Sequence, residues 1–118
     1  MNDKNLASAE AYYTAMKAKD LPLMATYLHR DVHFLGAFAK LAGKDAVIKG
    51  YEGLFAGILD INVRAKMSAA DRVMLVYDLK FKEPIGNVRT AALLSFKDNL
   101  IADIEVFFDG RAFESKTT

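Results

Sequence analysis

The feature that most constrains the fold is the stretch from Val88 to Asp109, which reads VRTAALLSFKDNLIADIEVFFD. Two apolar segments of about ten residues each, longer than the usual strand, flank the tetrapeptide KDNL at residues 97–100. Asp and Asn tolerate the left-handed backbone of a tight hairpin turn. The stretch therefore predicts two long antiparallel strands, and strands of this length predict a sheet that curls around a core or a cavity.

The composition is that of one globular domain. A chain of 118 residues can bury about two thirds of the surface that it exposes when unfolded. We expect a single domain over residues 1–118, with an ordered core from about residue 5 to residue 110. No cysteine is present, which excludes disulfides, thiolate metal ligands and cysteine nucleophiles. The net charge is +1 and the charged residues are scattered, so we expect no nucleic-acid partner.

Hydrophobic residues make up 53% of the chain, yet no apolar run approaches the ~20 residues of a membrane span. The amino-terminal sequence MNDKNLASAE lacks the basic and apolar segments of a signal peptide. We therefore expect a cytoplasmic protein without a membrane partner. The apolar excess must line a core, a cavity or a subunit contact.

Helical periodicity predicts two amphipathic helices at the start of the chain. The first has Asp3 or Asn5 as its N-cap, ends near Lys19 and places Tyr12 at the margin of its buried face. Its buried stripe consists of Leu6, Ala9, Tyr13 and Met16. Asp20 caps the second helix, which tolerates a proline in its first turn. The buried stripe of this helix consists of Leu21, Met24, Ala25 and Leu28.

A third helix is predicted after Gly43, and glycines interrupt one of its faces. Gly50, Gly53 and Gly57 together cost roughly 3 kcal/mol in helix propensity relative to alanine. Either a neighbouring backbone packs closely against this face, or the helix is short and frays after Gly53. The buried side of the helix consists of Val47, Ile48, Tyr51, Leu54, Phe55 and Ile58.

Alternating patterns predict the remaining strands of the sheet. An edge strand is expected at residues 31–38, followed after the third helix by strands at 61–67 and 73–81, and then by the long hairpin. The tail after Asp109 is polar and is expected to fray. This order indicates an α+β fold, in which three N-terminal helices pack on the concave face of a curved, cone-shaped antiparallel sheet. The mouth of such a cone is a natural ligand site.

The sequence resembles the SnoaL-like and ketosteroid-isomerase-like members of the nuclear transport factor 2-like superfamily, whose architecture is cystatin-like. The resemblance rests on AYYTAMKAKDLPLMATYLHRDVHFLGAF, on GKDAVIKGYEGLF and on LIADIEVFFD, and it spans nearly the whole chain. These patterns identify a fold more than a function. The resemblance implies isomerases, polyketide cyclases, dehydratases, hydrolases or non-catalytic binding and assembly modules, so the fold alone does not decide the activity.

The resemblance carries over to single residues only in part. In the steroid isomerases a tyrosine seven residues before the aspartate of the second helix donates a hydrogen bond to the developing enolate. Tyr13 stands seven residues before Asp20 and retains that position. The base aspartate aligns with Gly36, and the protonated aspartate of the oxyanion site aligns with Ala92. Without those carboxylates the same groups cannot shuttle a proton, so steroid isomerase activity is not expected.

Strand parity predicts an almost wholly apolar inner face of the sheet. Tyr13 and Tyr77 supply its evident polar groups, with Tyr51 as a third candidate; each is either a handle for a ligand oxygen or a buried tyrosine bonded to backbone or water. The inner side chains are Val32, Phe34, Phe38, Val63, Ala65, Leu75, Tyr77, Leu79, Ala92, Leu94, Phe96, Ile104, Val106 and Phe108. The predicted ligand-binding residues are Tyr13, Met16, Phe34, Phe38, Leu54, Phe55, Ile58, Tyr77, Leu94, Phe96, Ile104, Val106 and Phe108.

Few charged residues are candidates for chemistry. His29, Asp31 and His33 form an H-x-D-x-H pattern, but the pattern straddles a helix end and a strand, so no metal site is expected. His33 could act as a base only if a bulge turned it inward, and is otherwise a surface histidine. Asp109 follows the last strand and could turn into the cavity mouth. Three catalytic candidates result: Tyr13 as a hydrogen-bond donor, His33 as a possible base, and Asp109 as a carboxylate without an assigned role. The general base of an enzymatic reaction is not identified.

The outer face of the sheet combines charges with an apolar band. The charges are expected to pair across strands as a solvated or interfacial ion lattice; they are Asp78, Arg89, Asp103 and Glu105. The band would be an exposed apolar patch in a monomer, so we expect two copies to pack sheet against sheet as a homodimer. It consists of Met74, Val76, Ala91, Leu93, Ile101 and Phe107.

Two functions fit these residues. The first is the binding of a small hydrophobic molecule in an apolar cavity, with cofactor-free isomerisation, cyclisation or dehydration beside a carbonyl if the protein is an enzyme. The second is a non-catalytic module that uses the same fold for ligand binding or dimeric assembly. An open cavity facing a free Tyr13 hydroxyl favours the enzyme, whereas a filled cone favours the module.

Overall fold

The computed structural model describes residues 4–113. Leu6, Tyr13 and Met16 lie on the first helix and Tyr51 lies on the third, as their spacing predicts. The elements in chain order are α1 (Lys4–Lys17), α2 (Leu21–Ala25), β1 (Leu28–Leu35), β2 (Lys40–Ala42), α3 (Lys44–Phe55), β3 (Ile58–Ala69), β4 (Arg72–Phe81), β5 (Asn87–Lys97), β6 (Leu100–Phe108) and a 3-10 helix (Gly110–Phe113).

The predicted hairpin is present as β5 and β6. Asp98 and Asn99 form its two-residue turn with φ values of 54° and 65°, the left-handed pair that matches the twist of the flanking strands. The strands pair antiparallel along their length, with Ala92 opposite Val106 and Leu94 opposite Ile104. In the strand order of the sheet, these two strands lie at its centre.

The six strands form one curved sheet in the order β2-β1-β6-β5-β4-β3. The prediction of a wholly antiparallel sheet is wrong, because β1 pairs with β6 in parallel. β1 covers Leu28–Leu35 rather than residues 31–38, and it is an interior strand because β2 forms the edge beside it. β2 has only three residues, too few for its alternation to be recognised in the sequence.

The first two helices differ from the prediction at their ends. α1 ends at Lys17, before the left-handed Lys19, and its Tyr12 is completely buried rather than marginal. Asn5 lies inside α1, while the alternative cap Asp3 lies outside the described residues. Asp20 caps α2 as predicted, since its side chain accepts a hydrogen bond from the Leu23 backbone N–H at 3.1 Å. α2 ends at Ala25, so the predicted stripe residue Leu28 belongs to β1.

The glycines of α3 have different surroundings. The helix continues to Phe55, so fraying after Gly53 is excluded. A Cβ atom on Gly50 would lie 2.9 Å from Cδ1 of Leu41, whereas one on Gly53 would meet nothing within 4 Å. Close packing is therefore confirmed at Gly50 alone, and its partner is a side chain of β2 rather than a backbone. Gly57 lies beyond the helix, and Ile58 begins β3.

Two predicted face assignments on the sheet are wrong because bulges shift the alternation. The pairing of β3 with β4 shifts between Val63 and Ala65, which leaves Ala65 opposite Val76 on the outer face. Val63 remains opposite Tyr77 but is 38% exposed. A second shift occurs between Ser95 and Phe96 in the pairing of β5 with β6, where Phe96 lies opposite Ile101. Ile101 is fully buried, so it belongs to the core rather than to the outer band.

α1 and α3 cover the inner face of the sheet, whereas α2 packs mainly against these two helices. The prediction of three N-terminal helices on the sheet is therefore confirmed only in part, since α3 also follows β1 and β2 in the chain. α1 contacts β3, β4 and β6, while α3 contacts β1 and β2. In the region from residue 4 to residue 113, no helix combines the length and the apolar character that a bilayer span requires. The tail also differs from its prediction, since Gly110–Phe113 form a turn of 3-10 helix and Phe113 packs against the core. Residues 114–118 of the predicted fraying tail lie outside the described residues.

Candidate functional site

A cavity of about 210 Å³ lies between the inner face of the sheet and α3. Seven of the predicted ligand-binding residues line it, and two of these, Val106 and Phe108, come from the long hairpin. The seven are Met16, Phe34, Phe38, Leu54, Tyr77, Val106 and Phe108. None of the lining residues, all from the described part of the chain, carries a charge. The cavity is therefore an apolar site with isolated polar atoms.

The other predicted ligand-binding residues do not line this cavity. Tyr13, Phe55, Ile58, Leu94, Phe96 and Ile104 are each at most 7% exposed and belong to the packed core. Strand parity predicted that Leu94, Phe96 and Ile104 point inward, and helical spacing did the same for Tyr13, Phe55 and Ile58. Neither pattern shows where the packing leaves open space. Tyr13 instead lines a separate groove between α1 and β3, together with Lys17 and Lys66.

A large part of the cavity lining lies outside the predicted ligand-binding residues. Leu41 comes from the short strand β2, and Phe113 comes from the tail that was expected to fray. Leu79 was placed on the inner face and Gly36 at a catalytic position, but neither was predicted to bind ligand. The helical stripe could have identified Val47, and the inward parity of Ala92 could have identified Val88. Tyr51 was predicted only as a possible polar group of the inner face. The other lining residues outside the predicted ligand-binding set are Gly36, Ala37, Ala39, Leu41, Val47, Gly50, Leu79, Phe81, Val88 and Phe113.

Aromatic rings surround the mouth of the cavity. Phe38 lies in the turn between β1 and β2, which a hydrogen bond from the Gly36 N–H to the Ala39 carbonyl closes at 2.8 Å. Its ring is 5.7 Å from that of Phe108 and 5.9 Å from that of Phe113, both edge to face. Phe38 is nevertheless 67% exposed. It covers the mouth from outside without being part of the packed core.

Four buried phenols, Tyr12, Tyr13, Tyr51 and Tyr77, form a tyrosine cluster beside the cavity. The Tyr13 hydroxyl donates a hydrogen bond to the Tyr77 hydroxyl at 3.4 Å. Tyr51 and Tyr77 line the cavity, while Tyr12 and Tyr13 stand behind them on α1. The Tyr12 hydroxyl has no hydrogen-bond partner among the described residues. Tyr51 and Tyr77 are thus the lining residues whose side chains carry a hydroxyl.

Burial keeps the cluster protonated. It raises the pKa of Tyr77 to about 12, although the hydrogen bond from Tyr13 acts in the opposite direction. Burial also raises the pKa of Tyr13 well above its ordinary value, followed by the effect of the neighbouring Tyr77. The pKa values of Tyr12 and Tyr51 are raised as well, in both cases chiefly by burial. At neutral pH these phenols can donate hydrogen bonds but cannot serve as bases.

The two positions aligned with the isomerase carboxylates bear no acid. Gly36 lies on the cavity wall, where an added Cβ would be 3.0 Å from Cε1 of Phe34. Ala92 is completely buried and does not contact the cavity. The cavity wall therefore includes Tyr77 but no carboxylate that could remove a proton.

The catalytic candidates His33 and Asp109 lie outside the cavity. A register shift occurs in β1 between Leu28 and His33, but it does not turn His33 inward, since its side chain is 67% exposed and lies 3.9 Å from Asp103. Asp109 accepts several hydrogen bonds from Arg111, including one of 3.0 Å from Nε of Arg111 to Oδ1 of Asp109. These bonds lower the pKa of Asp109 to about 2. Asp109 therefore remains an exposed carboxylate held by its own neighbour.

The H-x-D-x-H segment does not form a metal site. All three residues lie on β1, so the prediction that the pattern straddles a helix end is wrong. The Nδ1 atom of His29 accepts a hydrogen bond from the Asp31 backbone N–H at 3.0 Å. Across residues 4–113 no group of three or more His, Cys, Asp and Glu side chains could hold a metal ion.

The outer face has the predicted ion lattice in part. The Asp78 carboxylate lies 3.6 Å from Nε of Arg89 and 4.0 Å from Nε of Arg64. Beside these ions the apolar band is partly exposed, with Phe107 at 51%. We define the outer face by its residues Met74, Val76, Ala91, Leu93 and Phe107.

Comparisons with known proteins agree with this architecture. A Kribbella flavida protein matches with a TM-score of 0.89 and 21% identity, covering 96% of this chain and 93% of its own. An NTF2-like protein of unknown function from Cytophaga hutchinsonii matches with a TM-score of 0.83 and 16% identity, covering 94% and 95%. A candidate ketosteroid isomerase from Kribbella flavida matches with a TM-score of 0.84 and 14% identity, covering 91% and 78%.

These identities are low, so the structural matches establish the shared fold alone. No curated protein matches the sequence significantly. The sequence itself matches the SnoaL-like domain over residues 9–104, from α1 to the middle of β6. The protein therefore belongs to the SnoaL-like domain family.

Proposed function

We propose that this protein binds a small hydrophobic molecule in the cavity beside the tyrosine cluster. The observation that carries the proposal is an open space of about 210 Å³ whose lining residues carry no charge. An apolar cavity of about 150 Å³ can hold benzene, and pockets for drug-sized ligands begin at about 300 Å³. The size of the cavity therefore favours a molecule of one ring or a little more.

The lining also favours an uncharged ligand. An ion buried in this cavity would lose its hydration without gaining an opposite charge from the wall, which is strongly unfavourable. The phenols of Tyr51 and Tyr77 can instead orient a neutral oxygen function. A largely apolar molecule with a single carbonyl or hydroxyl group fits this combination.

Catalysis beside a carbonyl is a second candidate. The buried phenols support it, since a donor aimed at a carbonyl oxygen stabilises charge that develops during enolisation. The reactions that fit are cofactor-free isomerisation, cyclisation and dehydration, and the candidate ketosteroid isomerase from Kribbella flavida shares the fold. The uncharged wall provides no general base, so binding without turnover is the better-supported function.

We further propose that the protein is a cytoplasmic homodimer that packs through the outer face. Half-exposed side chains such as Val76 and Leu93 form a continuous band across β4 and β5, and contiguous apolar patches of this kind usually mark an interface. A non-catalytic assembly role for the same dimer is compatible with the missing carboxylates.

Occupancy of the cavity can be tested with α-methylstyrene, an uncharged one-ring probe. In a calorimetric titration the wild-type protein should bind it saturably, and Val106→Trp should abolish binding because the indole fills the cavity. Val63→Trp is the matched control, since Val63 lies on β3 outside the cavity. Equal affinity of both variants would contradict the proposed site. Native mass spectrometry of protein isolated from cells should then reveal the ligand that it retains.

A further inference from the structure

The two bonded phenols of the tyrosine cluster occupy different positions relative to the cavity. Tyr77, on β4 opposite Thr90 of β5, lines the cavity wall. Tyr13 lies behind it on α1, does not line the cavity and is only 2% exposed. A ligand in the cavity therefore meets Tyr77 first, although Tyr13 is the position that the steroid isomerase pattern retains.

The burial of Tyr13 fixes the direction of the hydrogen bond between the two hydroxyls. Each phenol has one proton to donate, and in residues 4–113 the Tyr13 hydroxyl has no hydrogen-bond partner besides the Tyr77 hydroxyl at 3.4 Å. If Tyr77 donated to Tyr13, the Tyr13 proton would be buried without an acceptor, which folded proteins avoid. If Tyr13 donates, its own proton is satisfied and the Tyr77 proton remains available.

We propose that Tyr77 is the hydrogen-bond donor to the ligand and that Tyr13 is a positioning residue, so that the cavity selects neutral molecules with an acceptor oxygen, such as small aromatic ketones. The proposal rests on the proposed binding function of the cavity. The proposal specifies that the site donates a hydrogen bond to the ligand rather than accepting one. Tyr77 presents a proton because Tyr13 occupies one of the acceptor positions on its oxygen.

The same arrangement disfavours anionic ligands. A carboxylate could accept the proton of Tyr77, but no cation lines the cavity to balance its charge. Burial raises the pKa of Tyr77 to about 12, so the donor stays protonated throughout the physiological range. Benzoate should therefore bind far more weakly than a ketone of similar size.

A pair of isosteric probes tests the polarity directly. Acetophenone and α-methylstyrene have nearly the same shape and differ in having a carbonyl oxygen or a methylene group. Their affinity ratio should be measured by calorimetry for wild type, Tyr77→Phe and Tyr13→Phe. Tyr27→Phe is the control, since it removes a phenol hydroxyl outside the cavity.

Tyr77→Phe should reduce the preference for acetophenone about three- to tenfold, which corresponds to one neutral hydrogen bond. Tyr13→Phe should reduce it less, and Tyr27→Phe should leave it unchanged. The carbonyl stretching band of bound acetophenone provides a second readout that a purely structural role would not move. In wild type it should lie below its frequency in an alkane solvent, in Tyr77→Phe it should return toward that value, and in Tyr13→Phe it should broaden.

If Tyr77→Phe changed neither the preference for acetophenone nor its carbonyl stretching band, the assignment of Tyr77 as the donor would be wrong. Binding of α-methylstyrene in the same experiment would still support the proposed binding cavity. If only Tyr13→Phe abolished the preference for acetophenone, Tyr13 would be the direct contact, and the assignment of Tyr77 as the donor would again be wrong. Failure of both probes to bind the wild type would contradict the binding function on which this inference rests.

Discussion

The hydroxyls of Tyr13 and Tyr77 lie 3.4 Å apart and connect α1 to β4 across 64 positions of the sequence. Their rings are in contact as well, with centroids 4.9 Å apart and a tilt of 53°. The contact joins a helix that covers the sheet to a strand that lines the cavity. Tyr77 lines the cavity while Tyr13, the position that the sequence resemblance implies, lies behind it.

The tyrosine cluster predicts a loss of stability in alkaline solution. Because burial raises the pKa of Tyr12, Tyr13, Tyr51 and Tyr77 above the ordinary value of 10, the folded protein retains protons that the unfolded chain releases. Their contribution is complete below pH 10 and is lost as the pH rises through about 12 for Tyr77. Each should lower the free energy of unfolding by about 1.4 kcal/mol per pH unit in that window.

Urea unfolding at several pH values, from about one unit below to about two units above the ordinary tyrosine pKa, measures this dependence. Tyr77→Phe should reduce the slope by the share of one tyrosine. A free energy of unfolding that stays constant across the window would show that the phenols are not buried as described.

Gly50 and Gly53 of α3 should respond differently to substitution by alanine. Gly53→Ala should stabilise the protein by about 0.5–1 kcal/mol, because alanine favours a helix and the site is open. Gly50→Ala adds a Cβ 2.9 Å from Cδ1 of Leu41, so the leucine must shift, and the gain in propensity should be offset. Since Leu41 lines the cavity, ligand affinity should change for Gly50→Ala and not for Gly53→Ala. Thermal unfolding and titration with α-methylstyrene measure both effects; equal behaviour of the two variants would contradict the packing.

Phe38 is expected to slow the escape of a ligand. It is 67% exposed, so Phe38→Ala should lower the free energy of unfolding by less than about 1 kcal/mol. The dissociation rate of a bound probe should rise, because the ring no longer covers the mouth beside Phe108. Phe107→Ala is the matched control on the outer face, with an exposure of 51%. Stopped-flow displacement measures the rates, and equal rates in the two variants would exclude a role for Phe38 at the mouth.

The outer face predicts a dimer with twice the chain mass of 13.1 kDa. Leu93→Lys should dissociate it, because a lysine on this face would bury a charge between two sheets. Ala7→Lys, on an exposed site of α1, should leave the dimer intact. Light scattering at micromolar concentration measures the masses. A wild-type mass near that of one chain would contradict the proposed interface.

The long hairpin, the third helix and the family could be predicted from the sequence because each depends on local patterns. Alternation and the Asp98-Asn99 turn define β5 and β6, and helical spacing defines the face of Tyr51. Parallel pairing of β1 with β6 could not be predicted, since no local pattern links residues 28–35 to residues 100–108. The register shifts of β3 and β6 were also missed, because a bulge reverses the alternation from which a face is inferred.

The candidate site was predicted in its character but only partly in its membership. Parity and helical spacing identified an apolar inner face that includes Phe34, Tyr77 and Val106. Whether a residue on that face lines open space or fills the core depends on packing in three dimensions, as Leu94 and Phe96 illustrate. Phe113 was missed because its short tail has too few residues for a periodic signal.

The central claim, that a ligand occupies the uncharged cavity, is tested most directly by a methyl NMR titration with acetophenone. The ring of the probe should shift the methyl signals of Val88, Val106 and Leu41, which line the cavity, while those of Val76 and Leu93 on the outer face stay unchanged. Saturable shifts confined to the cavity methyls are the predicted result. Shifts confined to the outer face, or no saturable shift at any cavity methyl, would contradict the account.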